Sequence, residues 1–474
     1  MSKFIGRQQE LKKLLDLSRK KSASFVVVRG RRRIGKSRLI LEYSKYFNQF
    51  YTFEGLAPET GVTAKDQLEA FAKQMAHQMK LPHVRYDDWS DVLWAVGERL
   101  KTGKVLLFFD EISWMAMNDP TFLGKIKYFW DNYLKKNNQL IFVVCGSASA
   151  WIEKNILSST GFVGRISYTL TLEELPLLDC KQFWPKNISA FEKLKVLAVM
   201  GGIPKYLEEM NAKISAEENI KQLCFTRGAI LVEEFRQIFS DLFLRDSLLY
   251  KKIVEVLVTG PKERNDICKL LEIDPGGRIS DYLAELELAG FITRDYTWSI
   301  KSGVESKLSQ YRLHDNYLRF YLKYIDKNLN KINRDSFHLK SISLLPEWNT
   351  IIALQFENLV LHNRLLIHHA LNIKPEEIIS DNPFYQRKTY AHAGCQIDYL
   401  IQTKFNTLYI CEIKFSKNAI GSSVIQDVQS KIDALSYPKG FSCRPVLIHV
   451  NGVSEDVVDS DYFSSIVNFS EFLE

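Results

Sequence analysis

Short, nearly all-apolar runs alternate with amphipathic helical patterns through the first third of the chain. Strands that are apolar on both sides are typical of parallel sheets whose two faces are covered by helices. The pattern therefore predicts an α/β fold with a parallel sheet, and ligands are expected at the carboxyl ends of its strands. The predicted strands span residues 25–30, 49–55, 104–111 and 139–147, with helices at 37–47 and 64–79 between them.

The pattern changes after about residue 170. Residues 170–245 are mostly helical, with a break at GGIPKYL (201–207). Three helical stretches and a strand come next, an order typical of a winged helix-turn-helix. The last part begins with a helix and continues with strands near 396–402, 407–415 and 445–450. The predicted domains are a parallel-sheet domain at 1–168, a mostly helical domain at 169–245, a winged helix at 246–330 and a C-terminal α/β domain at 331–474.

Composition narrows the function classes only slightly. The 474 residues carry 63 Lys and Arg against 56 Asp and Glu, a net charge of +7, which permits phosphate or nucleic-acid binding without requiring it. The seven cysteines occur singly, with no CxxC pair, which argues against a cysteine zinc site. No apolar run reaches the roughly 18 residues of a membrane helix. A cytoplasmic protein without a membrane partner is expected.

The first predicted strand leads directly into GRRRIGKS, which fits GxxxxGK[ST] and opens an amphipathic helix. In such a loop, backbone N–H groups and the helix N-terminus surround phosphate oxygens. Lys36 is expected to reach the β- and γ-phosphates of ATP, and the Ser37 hydroxyl to bind Mg²⁺. The three arginines could equally contact a partner or solvent. The predicted nucleotide-binding residues of this segment are Gly30, Arg31, Arg32, Arg33, Ile34, Gly35, Lys36, Ser37 and Arg38.

An acidic pair, Asp110-Glu111, ends the apolar run VLLFFDE. Carboxylates at the end of a buried strand are costly unless they bind something. Asp110 is expected to hold the Mg²⁺ shell, and Glu111 to polarise the attacking water. The next strand ends at Ser147, which is expected to sense the γ-phosphate or hold that water; ordinary turn chemistry is the alternative.

Further motifs occur in a characteristic order: FIGRQQEL, GRRRIGKS, LLFFDE, CGSASAWI, GFVGRISYTL and GGIPKYL. Over about residues 3–325 the chain resembles the archaeal ATPase group of P-loop ATPases, related to the STAND and AAA+ signalling ATPases. The resemblance implies an ATP-dependent switch with a helical lid and a winged helix. It implies that Pro204 lies near the nucleotide and that Arg165 is an arginine finger or sensor, with a structural arginine as the alternative. The residues that it places near the adenine are Phe4, Ile5, Gly6 and Arg7.

The third helix of the predicted winged helix, GRISDYLAELELAG, is the element that would enter a DNA groove. It carries Arg278 together with Asp281, Glu285 and Glu287. Acidic side chains oppose binding to a phosphate backbone. Packing against the ATPase core or a partner protein is therefore favoured over reading a DNA sequence.

Carboxylates and a lysine also interrupt the apolar strands near the C-terminus. Glu412 and Lys414 share one face of a strand, and Asp398 lies on the preceding strand. Two carboxylates and a lysine can bind Mg²⁺ and activate water against a phosphodiester. Glu357, on the preceding helix, is a candidate third acid. The alternative is a buried Glu–Lys pair whose charges simply compensate each other.

This segment, about 345–455, resembles the PD-(D/E)xK restriction-nuclease-like fold, with Ile397-Asp398 in place of the usual proline-aspartate. The resemblance implies metal ligands at Glu357, Asp398 and Glu412, a catalytic lysine at Lys414, and polar helix positions such as Gln426 and Gln429.

Two functions fit the sequence. The first is an ATP-hydrolysing switch, requiring ATP and Mg²⁺, with a nuclease-like effector that acts on DNA or RNA. The second is a regulator that binds ATP but does not cleave nucleic acid, and that docks a protein or DNA partner through the winged helix or C-terminal domain. Assembly into a homo-oligomer is compatible with both.

Overall fold

The computed structural model describes residues 3–59, 61–147, 149–242, 247–390 and 393–474. They form two compact units. The first unit contains the described residues within Met1–Glu174, Ile238–Arg245 and Leu288–Gly290, and the second those within Leu175–Gln237, Asp246–Glu287 and Phe291–Glu474. No helix among the described residues has both the length and the apolar character that crossing a bilayer requires.

A five-stranded sheet, in which all neighbouring strands are parallel, forms the centre of the first unit. Its order is β2-β3-β4-β1-β5, so the strand before the phosphate loop lies between β4 and β5. Strands β3 and β4 are buried along their whole length, as their apolar sequences predict. The strands are β1 (Ser24–Arg29), β2 (Gln49–Glu54), β3 (Val105–Asp110), β4 (Leu140–Gly146) and β5 (Ile166–Thr171).

Helices cover the sheet, and aromatic side chains pack in the core between the helices and the sheet. The Phe25 ring lies 4.8 Å from that of Phe142, and the Phe53 ring stacks on Phe71 at 4.1 Å. Such pairs add specific geometry to the burial of apolar area. The helices of this region are α1 (Gln8–Leu17), α2 (Lys36–Ser44), α3 (Ala64–Met79), α4 (Trp89–Arg99), α5 (Ile112–Met115), α6 (Phe122–Asn132) and α7 (Ser149–Ile152).

The segment after β5 is helical, as predicted. Ser189 and Ser215 cap two of its helices by accepting N–H bonds from Glu192 and Glu218. The helices are α8 (Leu177–Cys180), α9 (Ala190–Met200), α10 (Pro204–Glu208), α11 (Ala216–Phe225) and α12 (Ile230–Leu242).

Three helices and an antiparallel hairpin follow, in the order that the sequence predicts for residues 246–330. They are α13 (Ser247–Val256), α14 (Arg264–Leu271), α15 (Gly277–Leu288), β6 (Ile292–Trp298) and β7 (Glu305–Leu313), and α16 (Asn316–Phe320) and α17 (Asp326–Asn333) follow them. The three helices and the hairpin are present; their designation as a winged helix stays a prediction.

The C-terminal region contains a second five-stranded sheet, of order β12-β11-β10-β9-β8. Strands β8, β9 and β10 are antiparallel, whereas β10, β11 and β12 are parallel. The elements are α18 (Trp348–His362), α19 (Arg364–Ala370), β8 (Ile378–Gln386), β9 (Cys395–Thr403), β10 (Thr407–Ile413), α20 (Ser423–Ala434), β11 (Ser442–His449), α21 (Glu455–Asp459) and β12 (Ser465–Asn468). Sequence patterns predicted β9, β10 and β11 but not the less regular β8 and β12.

The hairpin shares a core with this second sheet. Trp298 and Ile300, at the hairpin end, are buried among residues of the C-terminal sheet, including Phe384 and Leu400. The Trp298 indole N–H donates to Gln402 at 2.5 Å. Along the chain, the first unit gives way to the second after Glu174 and again between Arg245 and Asp246, whereas residue 330 lies inside the second unit. The predicted division into four domains stays a prediction.

Candidate functional site

The phosphate loop joins β1 to α2 through two glycines with positive φ, Gly30 (146°) and Gly35 (92°). A Cβ on Gly30 would lie 2.3 Å from the Leu172 carbonyl oxygen, so only glycine fits against the end of β5. Gly35 caps α2 without a side-chain hydrogen bond. The first amides of α2 are therefore free of a capping side chain and suit an anion.

Lys36 folds over the loop. Its ammonium group donates to the carbonyl oxygens of Gly30 and Arg31, each at 3.0 Å, and the residue is 6% exposed. It forms no ion pair with any residue that the structure describes. A buried lysine without an acidic partner is an unusual arrangement, and it suits a site that receives an anion.

Ser37 and Asp110 meet at the carboxyl end of β3. The Ser37 hydroxyl donates to Asp110 Oδ2 at 2.5 Å, and the Glu111 amide donates to Asp110 Oδ1 at 3.1 Å. A hydroxyl and a carboxylate are hard oxygen ligands of the kind that Mg²⁺ prefers. The donor set therefore fits the predicted magnesium, which Ser37 and Asp110 would hold.

Glu111 is oriented by the end of the next strand. Its Oε2 accepts from the Ser147 amide at 3.0 Å and from the Ser147 hydroxyl at 3.1 Å. Burial raises the pKa of Glu111, while the charge of Lys36 and the bonds from Ser147 oppose that rise. A carboxylate with a raised pKa is better suited to take a proton from water. We name Gly30–Ser37, Asp110, Glu111 and Ser147 the phosphate-loop site.

The N-terminal segment touches this site through Arg7. One Arg7 guanidinium nitrogen donates to the Ile34 carbonyl oxygen at 3.2 Å and also to that of Glu173. Phe4 and Ile5 are half-buried and Gly6 is buried. The adenine-binding role predicted for these four residues stays a prediction.

Arg165 forms a bidentate ion pair with Asp131 on α6, with Nε–Oδ2 and Nη2–Oδ2 distances of 3.0 and 2.8 Å. The hydrogen bonds from Arg165 lower the pKa of Asp131. This pairing agrees with the structural alternative, and the finger or sensor role stays a prediction. Pro204 is the first residue of α10 in the second unit, and its role near the nucleotide also stays a prediction.

A second group of charges lies where β9 and β10 run side by side. Lys431, on α20, donates to Asp398 Oδ1 at 3.1 Å and to Glu412 Oε2 at 2.5 Å. Lys414 lies 2.8 Å from Glu412 Oε1, and the Ile413 amide donates to Asp398 Oδ2 at 2.9 Å. We name Asp398, Glu412, Lys414 and Lys431 the carboxylate cluster. All four of its carboxylate oxygens have a donor.

Glu357 lies near this cluster, but its protonation differs from that of the cluster's two carboxylates. Burial, and secondarily the charge of Asp398, raises the pKa of Glu357 to about 8. Burial also raises the pKa of Asp398, with Glu412 adding to the effect. At neutral pH Glu357 is therefore largely protonated, and the two carboxylates of the cluster balance its two ammonium groups.

This arrangement does not fit the implied metal. Within the described ranges, no group of three or more His, Cys, Asp and Glu side chains is placed to hold an ion. The predicted ligands Asp398 and Glu412 bind lysines. Gln426 and Gln429 are exposed, and Gln429 bonds Asp433 and Tyr462 outside the cluster. The metal-binding and catalytic roles predicted for these residues stay predictions, as does the alternative of charges that compensate each other.

Sequence reasoning missed Lys431. Its signal was available, because its spacing puts it on the same face of α20 as the buried Val424 and Val428. A lysine on an apolar helix face indicates a buried acidic partner. It also missed Glu54, which ends β2 beside Asp110.

Comparisons with known proteins agree with an ATPase assignment for the part of the chain that contains the phosphate-loop site. Residues 4–210 match the model of a family described as an ATPase domain predominantly from Archaea. The matched range contains the phosphate loop, Asp110, Glu111 and Ser147, and it supports an ATPase in this part of the chain. A Methanocaldococcus jannaschii protein designated uncharacterized protein MJECL04 is 26% identical over 405 residues, covering 84% of each chain.

Similar solved structures include a Walker-type ATPase of Pyrococcus abyssi, PABY2304, with 17% identity and a TM-score of 0.49, covering 67% of this chain and 96% of that one. Cdc6p from Pyrobaculum aerophilum has 15% identity and a TM-score of 0.34, with coverages of 70% and 97%. ORC2 from Aeropyrum pernix, in ADPNP–ADP complexes, has 14% identity and a TM-score of 0.39, with coverages of 69% and 94%.

Proposed function

We propose that the first unit binds and hydrolyses ATP and acts as a nucleotide-dependent switch for the rest of the chain. The observation that carries this proposal is the connected set Ser37–Asp110 and Glu111–Ser147, next to a Lys36 that has no acidic partner among the described residues. Such a set provides an anion site, metal ligands and an oriented base at one edge of the sheet.

In this proposal, the loop amides and Lys36 bind the β- and γ-phosphates. Mg²⁺, when bound with the nucleotide, would neutralise charge on these phosphates. Glu111 orients the attacking water and accepts its proton at Oε1, because Oε2 is held by Ser147. Burial of Glu111 keeps its carboxylate weakly solvated and therefore more basic.

The test is the substitution Lys36→Ala, with Lys45→Ala as the control because Lys45 is exposed and follows the same helix. We expect the affinity for a fluorescent ATP analogue to fall by about 100-fold in Lys36→Ala, because a charge-assisted contact to phosphate is lost. Lys45→Ala should bind as the wild type does. Equal binding by Lys36→Ala and the wild type would refute the proposal.

For the C-terminal region we propose the second function considered above, a domain that docks a partner without cleaving nucleic acid. The absence of cleavage is supported by the complete occupation of the carboxylate oxygens of Asp398 and Glu412 by Lys431, Lys414 and a backbone amide. Carboxylates neutralised in this way offer little attraction to a divalent cation.

The experiment is incubation of plasmid and single-stranded DNA or RNA with the full chain in Mg²⁺ or Mn²⁺. We expect no cleavage by the wild type. Metal-dependent cleavage that disappears in Glu412→Gln would overturn this proposal in favour of the nuclease. Filter binding over a salt series then separates a nucleic-acid partner, whose affinity falls steeply with salt, from a protein partner.

A further inference from the structure

Glu54 ends β2 directly beside the metal-binding edge of β3. The strand register pairs Glu54 with Asp110, and the Gly55 amide donates to the Asp110 carbonyl oxygen at 3.1 Å. Neighbouring strands are about 4.8 Å apart, and paired residues direct their side chains to the same face of a sheet. The Glu54 carboxylate is therefore a neighbour of the Asp110 carboxylate.

The backbone of Glu54 is held firmly on both sides. Gln74 on α3 accepts from the Glu54 amide at 2.8 Å and donates to the Glu54 carbonyl oxygen at 2.9 Å. A Cβ on Gly55 would lie 2.9 Å from the Glu111 carbonyl oxygen. The chain after Glu54 thus passes closely against Glu111, and the strand end has little freedom to move away.

No described residue compensates the charge of the Glu54 carboxylate. Glu54 is exposed, and no described residue donates a hydrogen bond to its side chain or forms an ion pair with it. Although the residue is exposed, partial desolvation of its carboxyl group, together with the charges of Asp110 and Glu111, raises the pKa of Glu54. A merely solvated carboxylate would be more stable away from two other acids, because like charges at this distance repel.

We propose that Glu54 is a specificity-determining residue of the phosphate-loop site, which makes binding of a nucleoside triphosphate depend on an accompanying divalent cation. This inference rests on the proposed ATPase function. A metal-free triphosphate brings its full negative charge to an edge that already carries Glu54, Asp110 and Glu111. The complex of triphosphate and metal ion brings less negative charge. The carboxylate of Glu54 therefore repels it less than it repels the free nucleotide.

The experiment measures the dissociation constant of a fluorescent ATP analogue in EDTA and in excess Mg²⁺. We expect Glu54→Gln to bind about fivefold more tightly than the wild type in EDTA and within twofold of it in Mg²⁺, because one repelling charge is removed. The ratio of the two constants should therefore fall about fivefold. Glu54→Asp should keep the wild-type ratio within about twofold, and so should Glu59→Gln, a control at an exposed position in the following loop.

An unchanged ratio in Glu54→Gln, with normal nucleotide binding, would overturn the role of Glu54 and leave the ATPase proposal intact. If the wild type binds no nucleotide either in EDTA or in Mg²⁺, both the role of Glu54 and the ATPase proposal are overturned. Because Glu54 is exposed, thermal melting of Glu54→Gln should match that of the wild type, which checks that the change in ratio does not come from misfolding.

Discussion

In the phosphate-loop site, Lys36 donates, among the residues that the structure describes, only to backbone carbonyls, while Asp110 and Glu111 accept hydrogen bonds from hydroxyl and amide groups. In the carboxylate cluster, by contrast, Lys431 contacts Asp398 and Glu412 directly. Both regions bring acids on buried strands together with a lysine on a neighbouring helix. They differ in whether the lysine forms a direct ion pair with the carboxylates.

This difference separates a site that requires a ligand from one that is complete alone. Buried charges without partners are costly, and they persist where a ligand of opposite charge compensates them. Charges that already compensate each other need no ligand, and removing one partner destabilises the fold by leaving the other uncompensated. Residue types alone therefore do not distinguish a catalytic site from a structural ion-pair network.

The substitution Glu111→Gln, for which we expect the largest effect, tests whether the phosphate-loop site is catalytic. We expect ATP turnover to fall by about 10³-fold, because general-base catalysis contributes on the order of 10²- to 10⁴-fold. Nucleotide affinity should change by less than about twofold. A phosphate-release assay and an equilibrium titration check the two parts. Turnover within about tenfold of the wild type would show that Glu111 is not the base.

The substitution Glu412→Gln tests whether the ion pairs of the carboxylate cluster have a structural role. Glu412 is 3% exposed and neutralises Lys431, so its loss leaves a half-buried ammonium with one acidic partner, Asp398. We expect the free energy of unfolding to fall by about 3 kcal/mol. Asp110→Asn, which breaks no ion pair among the described residues, should cost less than about 1 kcal/mol. Urea denaturation of both variants checks this, and equal losses would remove the distinction between the two regions.

Sequence patterns predicted the phosphate-loop site because its parts are local. Gly30 to Ser37 are contiguous, and Asp110 and Ser147 each follow a strand whose apolar run marks its end. The parallel order of the strands then brings these ends together without further information. The carboxylate cluster was only half predicted. Lys431 meets Asp398 and Glu412 across 33 and 19 residues of chain, and a helix position gives no register against a strand.

The protonation of Glu357 gives a third test. Its pKa is about 8 in the folded chain, against an ordinary value of 4.5. The folded state therefore keeps a proton that the unfolded chain loses, so wild-type stability falls as pH rises from about 4.5 to about 8 and then levels off.

Glu357→Gln cannot lose a proton, so its stability relative to the wild type should rise over that window. We expect a relative gain on the order of 2 kcal/mol between pH 5 and pH 8, reduced by the partial exposure of Glu357. Urea midpoints of both proteins at several pH values check this. A difference that does not vary with pH would show that Glu357 has an ordinary pKa.

Ser147→Ala should have the smallest effect and sharpens the role of Glu111. The hydroxyl bond to Glu111 is lost, while the backbone amide bond remains. We expect turnover to fall about fivefold, equivalent to about 1 kcal/mol. The control is Thr102→Ala, which removes the hydroxyl of an exposed residue shortly before β3, at the end of that strand opposite Asp110. Identical turnover in the two variants would mean that the amide alone positions the carboxylate.

The contact between Gly30 and Leu172 has a mechanical consequence. The Leu172 carbonyl lies where a side chain on Gly30 would be, and Arg7 holds both Ile34 and Glu173. Two residues later, at Leu175, the chain enters the second unit. A shift of the loop upon loss of the terminal phosphate would therefore also shift residues 172–174, which precede one of the places where the chain passes between the units. In the switch proposed above, a flexible insert after Glu174 is expected to leave hydrolysis intact while weakening its effect on the second unit.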